Sequence, residues 1–170
     1  YMNIFKNNRI DINQVDYVIV KEDENQNSVR YGDIFFTTSS ETAEEVGMSS
    51  VLLEEVERLY LNSFCFGFRL NNFKVLLPQF AAFILRSSNI RKQISILGQG
   101  ATRYNLSKNQ LMKLILKLPT IAEQKKIAEV LTLSDQEIET LQKKLDCLQQ
   151  EKKALMQQLL TGKKRVKVAA

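Results

Sequence analysis

The chain has 170 residues with a formal net charge of +5, and its 44% hydrophobic and 25% charged residues are ordinary for a soluble globular protein. It contains no histidine and only two cysteines, Cys65 and Cys147. This excludes Ser-His and Cys-His nucleophile systems, His-ligated zinc, and a zinc site built from cysteines alone. No apolar run is long enough to span a bilayer and no signal peptide is visible, so we expect a cytoplasmic protein without a membrane partner.

The charges are distributed unevenly along the chain. Residues 1–60 hold 12 acidic and 5 basic side chains, residues 61–120 hold 9 basic and no acidic ones, and residues 121–170 hold 10 basic and 7 acidic ones. A stretch without carboxylates is typical of a protein that binds a polyanion, and nucleic acid is favoured over an acidic protein. The alternative is that the acidic first third packs against the basic middle and the two neutralise each other.

Three short runs in the first part of the chain predict β-strands. They cover residues 17–20 and 34–37, the second preceded by a turn at 31–33, and the alternating residues 64–70. In the third run, a period of two predicts that Phe64, Phe66 and Phe68 are buried and that Gly67 and Arg69 lie on the other face.

Helical patterns follow. Pro78 is suited to the first position of a helix, and apolar residues at helical spacing continue from Phe80 to Leu85 and, less regularly, to Ile90 and Ile94. Further along, Ser107 and Gln110 have the spacing of a capping box for a short helix that runs through Lys113.

The last fifty residues predict a helical arm. A second capping box, Ser134 with Glu137, predicts a helix that runs to Thr161 and is stopped by Gly162. Its apolar positions step by three and four residues, which predicts a coiled-coil seam that needs a second helix. The seam comprises Ile138, Leu141, Leu145, Leu148, Lys152, Leu155 and Leu159. The alternative is that the helix lies along its own domain.

The decapeptide GQGATRYNLS (residues 98–107) contains a Gly-x-Gly pair, but it does not match a nucleotide-binding motif. A third glycine is missing at Arg103, no acidic residue follows about twenty positions on, and the pair follows a helical pattern instead of a strand. Glu123 and Lys125 have the Glu-x-Lys spacing of metal-dependent nucleases, but the nearest upstream carboxylate is Glu57, so a helix-capping role is favoured. The sequence therefore predicts no catalytic site, no metal and no cofactor.

Several phrases together resemble one family. They are Leu118–Ala128 with its Glu-Gln-Lys-Lys-Ile-Ala, the ending Met-Gln-Gln-Leu-Leu-Thr-Gly-Lys at 156–163, Gly32–Thr37, Ser40–Thr42 with Glu45–Ser50, and Ala101–Ser107. In this order they are similar to the specificity subunit of type I restriction–modification systems, and the match covers essentially the whole chain.

The resemblance implies an α+β fold, with a small mixed target-recognition domain followed by a long coiled-coil arm. We expect the recognition domain over residues 1–120, with its N-terminal part missing, and a helical spacer or dimerisation region over 121–170. The chain would be the C-terminal half of such a subunit or a half-length one. In the second case a two-fold dimer would restore two recognition domains.

The resemblance also implies a function. A recognition domain of this family is not an enzyme and reads one half of a bipartite sequence in double-stranded DNA. The paired helices dock methyltransferase subunits and, through them, endonuclease subunits, and the use of S-adenosylmethionine and ATP belongs to those partners.

On charge and flexibility we expect the loop of residues 98–108 to contact DNA, because Lys and Arg bind phosphates while polar side chains on loops read bases. A second loop over residues 37–40 and a supporting basic patch complete the prediction. The candidates are Gln99, Thr102, Arg103, Tyr104, Lys108, Thr37, Thr38, Ser39, Ser40, Arg86, Arg91 and Lys92.

Two other functions stay open at this stage. One is a coiled-coil adaptor whose basic domain binds protein, and the other is a small nuclease that uses Glu123 and Lys125.

Overall fold

A computed structural model of the chain describes residues 1–21 and 23–167. In chain order the elements are α1 (Met2–Lys6), β1 (Ile34–Thr37), β2 (Ser39–Ser40), β3 (Ser49–Val51), β4 (Cys65–Phe68), α2 (Pro78–Ile84), α3 (Ser88–Leu97), β5 (Tyr104–Asn105), α4 (Lys108–Leu111) and α5 (Ile121–Leu160). Small sheets and short helices followed by one long helix confirm the predicted α+β class. The chain divides into two units, Tyr1–Ala128 and Glu129–Ala170.

The central sheet is antiparallel, in the order β3-β1-β4. Every residue of β1 is buried, which suits the continuous apolar run from which this strand was predicted. Ile34 and Phe36 contribute to the main core with Phe66, whereas Phe35 contributes to a smaller core with Ile4. Both faces of the sheet are therefore covered, and the predicted strand 34–37 is confirmed.

The prediction for the third run was wrong at Phe64. The strand begins at Cys65, which is buried in the smaller core, and Phe64 before it is 63% exposed. Gly67 lies on the face opposite Phe66, as predicted, and a methyl group at this position would lie 3.3 Å from the ring of Phe35 in the smaller core. Arg69 is paired with the buried carboxylate of Asp33.

The strand predicted over residues 17–20 does not form. These residues lie outside the strands, and Tyr17 and Ile19 are each 97% exposed. Their side chains favour β-structure, but a strand also needs a neighbour that binds its backbone groups, and local propensity does not supply one.

The predicted helix at Pro78 is confirmed, with the proline in the first turn. The helical pattern that weakens after Leu85 covers two helices, since α2 ends at Ile84 and α3 begins at Ser88, and Ile90 and Ile94 are buried from α3. Ser107 is the N-cap of α4 as predicted, but its side chain makes no capping bond and the helix ends at Leu111 instead of Lys113.

Helix α5 begins fourteen residues before the predicted start, so the second capping box was wrong. Ser134 lies inside the helix, where its hydroxyl donates to the carbonyl oxygen of Val130 at 3.1 Å. The true start is at Thr120, whose hydroxyl oxygen accepts from the amide of Glu123 at 3.3 Å. Thr120 with Glu123 also has capping-box spacing. The predicted stop at Gly162 is confirmed, with φ at 72°.

The first two turns of α5 belong to the first compact unit, Tyr1–Ala128. Gln124 is completely buried, and Ala128, one turn later, lies in the main core. The compact unit thus extends to Ala128, eight residues past the predicted boundary. No helix among the described residues is long and apolar enough to cross a membrane.

Candidate nucleic-acid interface

A two-stranded sheet brings the two predicted DNA-contacting loops together. Strand β2 pairs with β5 in antiparallel register, so that Ser39 lies opposite Asn105 and Ser40 opposite Tyr104. The contact continues where the amide of Leu106 donates to the carbonyl oxygen of Thr38 at 2.8 Å. Two segments separated by about sixty positions in the sequence therefore form one surface.

The Gly-x-Gly pair forms a tight hairpin. Gln99 and Asn105 exchange both backbone hydrogen bonds, at 2.9 and 2.8 Å, and close a loop of five residues between them. Gly100 has φ at 139°, and a methyl group there would lie 2.0 Å from the carbonyl oxygen of Arg103. The glycine permits the turn of the chain, and four side chains, Gln99, Ala101, Thr102 and Arg103, are exposed around it.

Arg103 is held at the base of this hairpin. Its Nε and one terminal nitrogen donate to the hydroxyl oxygen of Ser39 at 3.2 and 3.0 Å. Within the described part of the chain, no carboxylate forms an ion pair with it. An exposed guanidinium without a carboxylate partner suits a phosphate or the edge of a guanine.

Most side chains of the second predicted loop, residues 37–40, are buried beneath this surface. Thr37, Ser39 and Ser40 are buried, and only Thr38 is partly exposed. The hydroxyl of Thr37 accepts from the amide of Met48 at 3.0 Å, and that of Ser40 donates to Glu45 at 3.3 Å. Of this loop, Thr38 has the side chain best placed to meet a ligand.

Two members of the predicted basic patch bind the backbone of their own chain. The guanidinium of Arg86 donates to five carbonyl oxygens, four of them in residues 4–7 at the end of α1 and one in Ser49. Burial lowers the pKa of Arg86 to about 10, with a smaller contribution from Arg91, so the group remains charged at neutral pH. Arg91 donates to the carbonyl oxygens of Glu44, Val46 and Gly47. The positive charges of Arg86 and Arg91 therefore bind carbonyl oxygens of their own chain.

The remaining candidates differ in their surroundings. Lys108 is exposed, and its ammonium lies 5.7 Å from the centre of the Phe66 ring. Tyr104 is half-buried and packs against the main core. Lys92 is exposed on α3. Lys108 follows β5 closely and therefore extends the surface of the hairpin.

Among the described residues, an ion pair joins an acidic side chain of the first third to the basic middle region at Arg69. Arg69 forms a two-pronged ion pair with Asp33, at 2.8 and 2.6 Å. This contact raises the pKa of Arg69 above its usual value. Near the hairpin, Glu45 accepts from the hydroxyls of Ser40 and Thr42. The neutralisation considered from the sequence thus occurs at Arg69, away from Arg103.

Sequence reasoning missed the turn at residues 62–64, because Phe64 was assigned to the core. The carbonyl oxygen of Phe64 accepts from the amide and the hydroxyl of Thr38, at 3.1 and 2.9 Å. The available signal was the Asn62-Ser63 pair, since such residues favour turns and interrupt an alternating strand. The turn therefore adjoins the predicted surface.

A nuclease that uses Glu123 and Lys125 would need a metal site. The described residues contain no group of three metal-binding side chains. Glu123 lies in the first turn of α5, where a carboxylate stabilises the positive end of the helix dipole.

The predicted seam is exposed along α5. Its apolar members are between 39% and 65% exposed. They are Ile138, Leu141, Leu145, Leu148, Leu155 and Leu159, and Lys152 between them is exposed as well. A row of apolar side chains on a long helix is the pattern of an unpaired coiled-coil strand.

The fold thus defines a class of protein. It is a small α+β domain that presents a polar and basic hairpin and is followed by a long helix with a row of exposed apolar side chains. The family model for the type I restriction modification DNA specificity domain matches residues 2–150, and the chain belongs to this family. The resemblance found in the sequence is confirmed.

Two relatives from Methanocaldococcus jannaschii agree with this assignment. The chain is 30% identical over 158 residues to a protein named as the MjaX specificity subunit of a type I restriction enzyme. It is 36% identical over 89 residues to the MjaVIII specificity subunit. These alignments cover 90% and 52% of this chain but only 36% and 21% of the relatives, so the chain spans about a third of the length of the first.

Proposed function

We propose that this chain reads one half of a bipartite DNA sequence for a type I restriction–modification complex and contributes no catalytic group of its own. Family membership supports the assignment to a specificity subunit. The observation that carries the proposal of DNA reading is the β2·β5 sheet, which unites Thr38 with the exposed hairpin of Gln99 to Arg103.

The chemistry of this surface suits duplex DNA. Arg103 and Lys108 offer charge for phosphates or for guanine, and Gln99 offers an amide that can bind the edge of adenine in two places. Thr102 and Thr38 supply short hydroxyl groups. The carboxylates around Glu45 border the surface, so we expect DNA to contact the hairpin and its Lys108 side.

We propose that the arm pairs with a second helix and that the pair docks methyltransferase subunits and, through them, endonuclease subunits. The charges on the arm fit an antiparallel pair with a second copy. When Leu145 packs against Leu148 of the second copy, heptad geometry places Lys144 beside Glu151 of the second copy. The same contact occurs twice by symmetry, which favours this register.

Binding to a random-sequence duplex across a salt series tests the proposal. We expect affinity to fall steeply with salt, because each phosphate contact releases counterions. Arg103→Ala should reduce the slope of log K against log salt by about 1. Lys21→Ala removes the same charge from an exposed site in the acidic third and serves as the control.

The result distinguishes the proposal from its rivals. An adaptor that binds protein would show no salt-dependent DNA binding. Magnesium-dependent nicking that Glu123→Ala abolishes would instead establish a nuclease. Mapping of methylated sites in cells that carry the complete system would identify the sequence read.

A further inference from the structure

Phe64 is a large aromatic side chain that the fold leaves 63% exposed, although Phe66 and Phe68 next to it pack into the main core. It lies in the turn over Asn62 to Phe64, where all three residues are exposed. The ring of Phe64 is therefore exposed, whereas the rings of Phe66 and Phe68 in the strand that follows are packed in the core.

The backbone that carries this ring is fixed on both sides. The amide of Phe64 donates to the side-chain oxygen of Asn62 at 3.0 Å. Its carbonyl oxygen accepts two hydrogen bonds from Thr38, and the next amide, that of Cys65, donates to the carbonyl oxygen of Asn62 at 3.2 Å. A side chain on such a rigid frame loses little conformational freedom when it binds a ligand.

The turn is joined to the hairpin surface through Thr38. Thr38 binds Phe64 with its amide and hydroxyl, and binds Leu106, the residue after β5, with its carbonyl oxygen. On the other side, the ammonium of Lys108 lies over the ring of Phe66, two residues beyond Phe64. Phe64 thus stands next to the groups proposed to meet DNA.

We infer that the turn over Asn62 to Phe64 is a third element of the DNA-reading surface, and that the Phe64 ring contacts the C5-methyl group of a thymine in the major groove. The inference rests on the proposed function. The hairpin provides polar groups for adenine, guanine and phosphate, but the thymine methyl presents no hydrogen-bonding group and is recognised by apolar contact. Phe64 is an exposed large apolar residue whose carbonyl oxygen is bonded to Thr38.

The test begins with selection of preferred sequences from random duplexes by the full chain, by Phe64→Ala and by Ile115→Ala. Ile115 is 77% exposed and has no contact with the hairpin among those described, so it controls for loss of an exposed apolar group. We expect Phe64→Ala alone to lose the preference for one A·T pair, and to bind the wild-type sequence about tenfold more weakly. Its salt slope should stay unchanged, because no phosphate contact is lost.

Replacement of the thymine at that pair by uracil removes only the methyl group. It should weaken binding by the wild-type chain and have little further effect on Phe64→Ala. Phe64→Leu, which keeps an apolar side chain, should retain part of the preference. Unfolding midpoints of the variants, measured alongside, separate loss of contact from loss of fold.

The inference is overturned if Phe64→Ala selects the same sequence with the same affinity, or if uracil weakens binding by the wild-type chain and by Phe64→Ala equally. In either case the salt-dependent binding of the wild-type chain would still support the proposed function. If the wild-type chain itself shows no salt-dependent binding, the proposed function fails and the inference fails with it.

Discussion

Gly100 adopts a backbone conformation that a residue with a side chain would strain. Its φ of 139° is accessible to glycine, and its neighbour Arg103 brings a carbonyl oxygen to within 2.0 Å of where a Cβ atom would lie. The residue therefore determines the shape of the hairpin that carries the candidate DNA contacts.

We predict that Gly100→Ala destabilises the chain by ~1–3 kcal/mol and weakens DNA binding, because the hairpin must open to relieve the contact. Urea unfolding and the duplex-binding assay measure the two effects. Gly162→Ala is the control, since Gly162 also has a positive φ but has no atom within 4 Å of the added methyl group. This account would be contradicted if Gly100→Ala had the same stability to urea as the wild type and bound DNA with the same affinity.

Arg86 stabilises the fold with its charge. Its guanidinium binds the last carbonyl groups of α1 and that of Ser49, and thereby joins the start of the chain to β3. Burial disfavours the charged form and lowers its pKa, and five carbonyl acceptors offset that cost.

We predict that Arg86→Lys destabilises the chain by ~3 kcal/mol, because one ammonium cannot reach the carbonyl oxygens that the planar guanidinium spans. Denaturant unfolding measures the change. Lys92→Ala, at an exposed position of α3, should change the free energy of unfolding by less than about 0.5 kcal/mol. If Arg86→Lys were equally mild and instead weakened DNA binding, Arg86 would belong to the interface.

At the scale of elements, Gln124 links the start of α5 to the loop before α2. Its side-chain oxygen accepts from the amide of Leu77 at 3.0 Å, and its nitrogen donates to the carbonyl oxygens of Val75 and Pro119 at 2.9 and 3.0 Å. A completely buried amide that satisfies three backbone groups holds the first turn of α5 to the segments before α2 and α5.

We predict that Gln124→Met destabilises the unit Tyr1–Ala128 by ~3 kcal/mol, because the side-chain volume is kept while three partly buried backbone groups lose their partner. Hydrogen exchange at the amide of Leu77 should accelerate, and urea unfolding gives the free energy. Gln142→Met, on the exposed part of the same helix, removes an amide bonded to Asp146 and should be nearly neutral. Equal effects of the two substitutions would show that the buried amide has no special role.

At the scale of the whole molecule, the arm determines association. Its seam is exposed, and we propose that a second copy of the chain covers it, with the apolar layers and the complementary Lys144–Glu151 contacts of an antiparallel pair.

We predict that the chain forms a dimer in solution and that Leu148→Asp makes it a monomer, because a carboxylate at the centre of the seam would be buried without a partner. Light scattering after size-exclusion chromatography measures the mass. Gln149→Asp introduces the same charge one position away from the seam and should leave the dimer largely intact. A wild-type chain that stays monomeric at high concentration would show that its arm requires a helix from another protein.

The sequence predicted those features that depend on neighbouring residues. The run Ile34 to Thr37, the proline that starts α2 and the glycine that stops α5 were all recognised, since apolar periodicity and terminal residues act over a few positions. The start of α5 was misplaced because two capping boxes compete in the sequence, and only packing around Gln124 shows that the earlier one is used.

By itself, then, the sequence determined the family, the α+β class and the long C-terminal helix with its heptad row of apolar side chains. Only the tertiary structure decided which charged and aromatic groups face solvent. It placed Arg86 against five backbone carbonyl groups, left Phe64 exposed, and joined Thr38 to a hairpin some sixty residues away. The reason is physical: local propensity reports which face of an element is apolar, whereas the partner of a polar group depends on segments distant in the chain that meet only on folding.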